Sequence, residues 1–454
     1  MAGPQPRPLA RPLGRLSAAL GWALLAVVAL APLPFGANRP WAWSALALAV
    51  GVLLTLWAAA ALLGRAPAAP RGHWPFALVF AAVAGWIALQ AVPWTPASWH
   101  HPLWAAAAEA LGEPLAGAVS IDPGRTVSAL MRLLAYAGVF FLAATLGGGL
   151  WRRGLFVVAV AAALYAAYGL AVVFSGADSL LWYRRWAYHG AVTGTFVGRS
   201  AFAAYTGLGL IATVALFADE IGRLRGGWRV AVASLLGGRG AWLAVMAAVI
   251  ATALVASQSR GGLLATAAAL AVLALGLARR ARGRAIVAGL ALAGLIVLVA
   301  FAGEPVLGRL NLTLVAAEER PALYRAVVQA IAAEPWRGIG YGTFALAFPM
   351  IRGATLPAGA AYAYAHSVYL ELALEIGVPA AAALLAVVAG LAWRSARAGS
   401  VAGAAGLAAV VLLGLQGLVD FAPQIPAVAA TFALLLGLGC ATTLRPPEIT
   451  PRAI

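Results

Sequence analysis

His366, Arg199 and Arg260 are the side chains in this sequence best suited to chemistry, and each stands beside a long apolar run. Arg199 follows TGTFVG and precedes an apolar segment; Arg260 lies in SQSRGG, a very short connection between two such segments. A guanidinium at a hydrocarbon boundary is costly unless it snorkels to the headgroups or finds an anion. Snorkelling is the ordinary outcome. Against it stand the small neighbours Gly198, Ser200, Ser257, Ser259 and Gly261, which leave room for a ligand. The anion that suits a guanidinium best is phosphate, because the planar fork matches two phosphate oxygens and keeps its charge when partly buried. His366 closes a polar loop, after Tyr362 and Tyr364, at the start of an apolar segment. A lone interfacial histidine is commonly a hydrogen-bonded surface residue; a neutral imidazole there can also take a proton from a hydroxyl. Glu371 and Glu375 follow one turn apart and off the histidine's face, a spacing suited to orienting polar groups between helices.

Several chemistries are absent. There is no HExxH, no paired cysteine and no Asp-x-Asp in a polar loop, so no protein-bound metal is expected. No cofactor motif is present either. GIGYG at 338–342 lacks the Lys-Ser/Thr of a phosphate-binding loop, and its glycines suit a tight turn that lets backbone approach something closely. Cys440 rules out an intrachain disulfide and lies in an apolar run. Arg184 and Arg185 sit among Trp182, Tyr183, Trp186 and Tyr188, a pattern that fits an interfacial aromatic belt or a sugar-stacking surface equally well.

These residues must be positioned by membrane helices. The chain is 63% hydrophobic and 10% charged, with a mean hydropathy of +0.92. Segments of about 20 apolar residues recur along it, each long enough to cross roughly 30 Å of hydrocarbon. A β-barrel is excluded, since its strands would alternate instead of running continuously apolar. The net charge is +17 and every basic residue is arginine, but the arginines punctuate segment ends, so they signal orientation and not a nucleic-acid partner.

Hydropathy and breaker residues give about 12 spans: 16–34, 42–64, 75–93, 127–147, 155–175, 200–218, 241–258, 262–279, 285–303, 367–393, 401–419 and 427–444. Most of the 31 arginines fall on one side if both termini are cytoplasmic. The expected architecture is one all-α polytopic domain over 1–454, with a large outward loop at 304–366 covering the site. Within that loop PALYRAVVQAIAAEP is expected to form a short amphipathic helix. Pro321 should open it, Tyr324, Val327, Val328 and Ile331 share one face, and Arg325 and Gln329 share another.

The stretches TGTFVGRSAFAAY (193–205), SQSRGGLLA (257–265), YRAVVQAIAAEPWRGIGYGTF (324–344), AHSVYLELALEIGVPA (365–380) and LVDFAPQIPA (418–427), with SIDPGRT at 120–126, resemble the O-antigen ligase and polymerase superfamily of bacterial membrane glycosyltransferases. The resemblance covers most of the chain from 120 to 430. It implies a GT-C-like bundle of about twelve helices with a periplasmic loop over a cavity. It also implies transfer of a glycan from an undecaprenyl-diphosphate carrier to an acceptor hydroxyl, without metal or nucleotide sugar. Arg199 and Arg260 would then hold the diphosphate and His366 would act on the hydroxyl. Arg325, Arg337, Gly340, Gly342 and Tyr364 would contact substrate. The donor and a lipid A–core or other glycolipid acceptor would be the partners, in a bacterial inner membrane with the site facing the periplasm. Relatives often carry Asn beside the first arginine and after the histidine; here Gly198, Ser200 and Ser367 stand there, a difference that bears on the acceptor. A repeat-unit polymerase shares all these features. A transporter or flippase of lipid-linked sugars would call for internal repeats and mid-span charges, neither of which stands out.

Overall fold

The computed structural model describes residues 11–66, 71–146, 149–185, 187–223, 238–278, 310–352, 356 and 362–441. Runs of Ala and Leu lose little side-chain freedom in a helix and bury no polar group. They form α1 (Arg11–Leu30), α2 (Pro40–Leu62), α3 (Trp74–Gln90), α4 (Leu103–Leu111), α5 (Pro123–Leu146) and α6 (Trp151–Phe174). After a two-residue antiparallel pair, Ser179–Leu180 with Tyr183–Arg184, come α7 (Arg199–Arg223), α8 (Gly238–Ala256), α9 (Arg260–Ala278) and α10 (Leu310–Ala333). The chain continues through α11 (Phe344–Ile351), α12 (Val368–Ile376), α13 (Val378–Arg397), α14 (Val401–Gln416) and α15 (Pro426–Ala441). Proline opens α2, where its missing N–H costs nothing, and Ser400 caps α14 by accepting the Gly403 amide at 2.9 Å.

The protein is an all-α polytopic membrane protein. Helices α2, α5, α6, α7, α8, α9 and α13 are long and apolar enough to cross a bilayer; α3, α14, α15 and the Gly14–Leu30 part of α1 are shorter apolar stretches. At the centre lies α7, buried almost without a break from Ala201 to Phe217 and packed on α6, α8, α9 and α14. A helix apolar all round is expected to be enclosed in this way. Gly207 lets three helices meet there: a Cβ on it would stand 2.5 Å from Thr266 of α9 and 3.0 Å from Leu412 of α14. A separate small core holds the covering segment together, joining Leu323 and Val327 of α10, Ile339, Phe344 and Phe348, and Ile121 and Leu374.

The structure corrects three expectations. Segment 367–393 is not one helix: Gly377, at φ +82, separates α12 from α13. Pro321 does not open a helix but lies inside α10. Val328 is half exposed, because the buried face of α10 runs through Leu323 and Val327 instead. The expected span 285–303 lies outside the described residues, as do 304–309, 353–355 and 357–361 of the expected loop.

The break at Gly377 is needed by its neighbours. A Cβ there would run into the Trp336 carbonyl, and Val378 donates its amide to Pro335 at 2.8 Å. Gly377→Ala is expected to destabilise the protein by about 1–3 kcal/mol through the left-handed backbone alone, with the carbonyl clash added. Gly112 is also left-handed, at φ +69, but faces open space. Thermal unfolding in detergent should therefore show a clearly larger loss for Gly377→Ala than for Gly112→Ala; equal losses would show that the Trp336 contact has no effect.

Candidate active site

The connection between α14 and α15, residues 417–425, brings together the segments that carry the sequence-predicted residues. Prolines at 423 and 426 keep it from continuing either helix, and buried Asp420 fixes its shape by accepting the Ala422 amide at 2.9 Å. Just before it, the Gln416 side chain donates to the Ser200 carbonyl at 2.9 Å, tying the connection to the first turn of α7, where Arg199 sits. Val419 lies 3.4 Å from where a Cβ on Gly261 would be, so the first turn of α9, with Arg260, rests against it. On the other side Val368 donates its amide to the Gly417 carbonyl at 2.8 Å, and the Tyr369 hydroxyl donates to the Gly414 carbonyl at 2.7 Å. The Phe421 ring then stands edge-on to His366, 5.4 Å between centroids, and stacks flat on Tyr364 at 4.1 Å.

His366 is held in an unusual backbone state. Its φ is +54, and its carbonyl accepts the Tyr324 hydroxyl at 3.0 Å. A non-glycine residue there stores strain that the surroundings must compensate, and such residues gather at functional sites. Its Nδ1 is buried and has no hydrogen-bond partner among the described residues. Burial pushes the imidazole below its ordinary value of 6.5; the Arg320 charge adds to this and Asp420 opposes it. The ring is therefore neutral at pH 7, with one nitrogen able to accept a proton.

Arg199 and Arg260 are each the first residue of a helix. Cations are unfavourable at helix N-termini, where the macrodipole is positive, so the two helix ends and two guanidinia together favour an anion. Arg199 lies 5.5 Å from the Tyr188 ring centre and forms no ion pair among the described residues. The serines around Arg260 are occupied: Ser257 donates to Leu254 at 2.6 Å, and Ser259 caps α9 by accepting the Gly262 amide at 3.3 Å.

The other expected contacts have structural partners. Arg337 pairs with Glu334 and donates to the Ser98 carbonyl at 2.8 Å, and this pairing holds the Glu334 carboxyl below the usual carboxylate range. Arg325 is exposed and donates to Pro321 of its own helix at 3.3 Å. What the GIGYG backbone approaches is protein. The Gly340 amide donates to the Glu375 carbonyl at 2.9 Å, and any Cβ on Gly340, at φ +106, would collide with Ser120. Gly342 and Tyr364 line a neighbouring cavity of about 660 Å³. Arg185 is a clasp, donating to the Tyr188 and Ala191 carbonyls at 2.8 Å each.

Residues 243–385 match the family model of the O-antigen ligase. That match, over about a third of the chain, supports a likeness to the O-antigen ligase-like superfamily. No curated protein matches the chain. The matched stretch carries Arg260 and His366, while Arg199 and the 417–425 connection lie outside it. The family supports a ligase- or polymerase-type membrane enzyme acting on lipid-linked glycans. No cluster able to hold a metal ion occurs among the described residues.

Several residues beside this site have partners that the sequence did not specify. Glu371 accepts the Ala365 amide at 2.8 Å, the residue before His366, and Glu375 accepts the Phe344 amide at 2.8 Å, the first of α11. Both carboxylates are buried, and together they shape the histidine loop and the glycine loop. Arg320 and Asp420 are the charges nearest His366 in effect, and Arg125 and Arg132 face the cavity. A signal existed for the last pair: they are seven apart, on one helix face, and Arg132 falls inside an apolar span. Glu371→Leu would leave the Ala365 amide unpaired, costing about 1–3 kcal/mol, whereas Glu371→Gln retains an acceptor. Hydrogen exchange should then accelerate across 362–367 in the Leu variant and stay near wild type in the Gln variant; unchanged protection in both would show that Glu371 does not order the histidine loop.

Proposed function

We propose that this protein transfers a glycan from an undecaprenyl-diphosphate carrier to an acceptor hydroxyl, as an O-antigen ligase that attaches O-antigen to lipid A–core at the periplasmic face of a bacterial inner membrane. The observation that carries the reading is the 417–425 connection, which ties the N-termini of α7 and α9, with Arg199 and Arg260, to the loop that holds His366. In this reading the two guanidinia and the two helix ends bind the diphosphate and offset the charge that grows on it as the glycosidic bond breaks. His366, neutral through burial, takes the proton of the acceptor hydroxyl as that oxygen attacks the anomeric carbon. The diphosphate leaves with the bonding electron pair, and a single displacement inverts the anomeric centre.

The acceptor separates a ligase from a repeat-unit polymerase. Deletion of the gene and gel analysis of lipopolysaccharide decides it: loss of all capped chains supports the ligase, and loss of chain length alone supports the polymerase.

His366→Ala is expected to lower transfer about 10²–10⁴-fold while donor binding persists. Full turnover in His366→Gln, which cannot accept the proton, would reduce the histidine to a positioning role. The base must be uncharged and its pKa lies below the ordinary value, so the rate should hold from pH 8 down to about 6.5 and fall only at more acid pH. A rate already falling between pH 8 and 7 would contradict a depressed imidazole. Arg260→Ala should cripple transfer with normal expression, and Arg260→Lys should rescue it poorly, since a point charge does not supply the guanidinium fork. Wild-type rates in the Lys variant would mean that charge alone matters there.

A further inference from the structure

The cavity beside the histidine loop contains neither Arg199, Arg260 nor His366. It is walled by α3, α5, α12, α13 and α15 and follows α5 from Arg125 to Phe141, roughly 24 Å at the helical rise per residue. That length approaches the thickness of a bilayer's hydrocarbon. Spread over it, a volume of about 660 Å³ describes a long, narrow cleft and not a rounded pocket.

The two ends of the cleft differ in chemistry. Toward the far end it is lined by Phe76, Phe140, Leu391 and Leu436, with His73 packed against Phe140. Toward the glycine loop it holds Arg125 and Arg132. Arg125 pairs at 3.5 Å with Asp122, and both are partly exposed. Arg132 lies deeper along α5. Its Cζ stands 5.4 Å from the Trp43 ring centre, and it forms no ion pair among the described residues. Of the two cavity carboxylates, Glu371 accepts the Ala365 amide and Glu375 the Phe344 amide; Glu375 feels the Arg132 charge but forms no ion pair with it. One turn beyond Arg132, on the same face, the Tyr136 hydroxyl is buried and has no hydrogen-bond partner among the described residues. A guanidinium with no direct ion pair and a hydroxyl without an acceptor among the described residues, at i and i+4, are together two donors that an anionic oxygen would satisfy.

We infer that this cleft seats a lipid that carries a phosphate on a single hydrocarbon chain. The phosphate lies between Arg132 and Tyr136, with Arg125 at the mouth, and the chain runs down the aromatic and aliphatic wall. The seat is separate from the anion pocket formed by Arg199 and Arg260. If that pocket holds the donor diphosphate, as proposed above, the cleft is a second seat for a single-chain lipid phosphate, distinct from the lipid A–core acceptor; this last step rests on the proposed function, and the lipid-phosphate seat does not. The two seats adjoin, because Tyr364 lines the cleft with one face of Phe421 against it, while His366 meets the same ring edge-on.

The test is a binding measurement on the full chain in lipid nanodiscs, using a polyprenyl monophosphate that bears a photoreactive group on its chain. Crosslinks are expected within 123–146 and 378–397. Arg132→Ala and the conservative Tyr136→Phe should each weaken retention, the first by about tenfold or more. Ala137→Trp, which fills the cleft, should abolish the crosslinks. Arg260→Ala should leave them in place. The inference is overturned if polyprenol without phosphate is retained as well as the monophosphate, if phosphatidylglycerol displaces it at equal concentration, or if Arg132→Ala binds normally. Loss of the crosslinks in Arg260→Ala would show one lipid site where two are inferred. A cleft that fails these tests while His366→Ala still abolishes transfer removes the second lipid seat and leaves the proposed function standing.

Discussion

Non-helical backbone beside a bilayer has no water to turn to, so its amides and carbonyls must be paired within the protein. In this protein four buried polar side chains do much of that pairing. Glu371 and Glu375 accept amides from the histidine loop and from the start of α11. Gln90 donates from α3 to the Arg337 and Glu375 carbonyls, at 2.7 and 2.9 Å, and Gln416 donates from α14 to Ser200. Each sits at or near a helix end; Glu371 reaches back to the loop just before its own helix, and the other three reach segments farther away in sequence. Removing one leaves a backbone group unpaired in a place of low dielectric, where the cost is greatest.

This constraint also explains the glycines. The GIGYG segment follows the edge of α12, with Ile339 and Gly340 donating to the Leu374 and Glu375 carbonyls, and Ile121 donating to Ile339 in turn. Such an arrangement, three segments bonded side by side, needs backbones closer than a Cβ allows, and Gly338 against the Glu375 carbonyl is the tightest backbone approach in the segment. The small core under Phe344 and Phe348 then holds the covering segment in place. The covering segment is therefore anchored from below by hydrogen bonds and from within by packing. Both bear on where His366 stands, since Tyr324 of α10 and Ala365 of the loop belong to the same assembly.

The anion-favouring part of the molecule follows from helix direction. Two helices begin at one place, each with an arginine as its first residue, and an arginine there is opposed by its own helix. Packing decides that they meet: α7 and α9 approach closely enough that a Cβ on Gly262 would stand 2.5 Å from Ala203. The central position of α7, enclosed by four other helices, makes that meeting point rigid.

Composition and periodicity by themselves determined the class of protein, because an apolar run of the right length has few other places to go than a bilayer. Most span positions were also legible, since charge and proline mark their ends within a few residues. The arginines at 199 and 260 and the histidine at 366 stood out because their cost at a hydrocarbon boundary is local. What the chain order could not decide was pairing between distant segments. Glu371 and Glu375 looked like interhelical polar residues, and their acceptors' work on Ala365 and Phe344 depends on how α12 lies against two loops. Arg337 looked available for substrate and is instead engaged with Glu334 and Ser98, the latter 239 positions away. Pro321 has the local preference of a helix start, yet the helix runs through it. The cleft along α5 had a sequence trace only in the spacing of Arg125 and Arg132, since a cavity is bounded by five helices at once and exists only when they are packed.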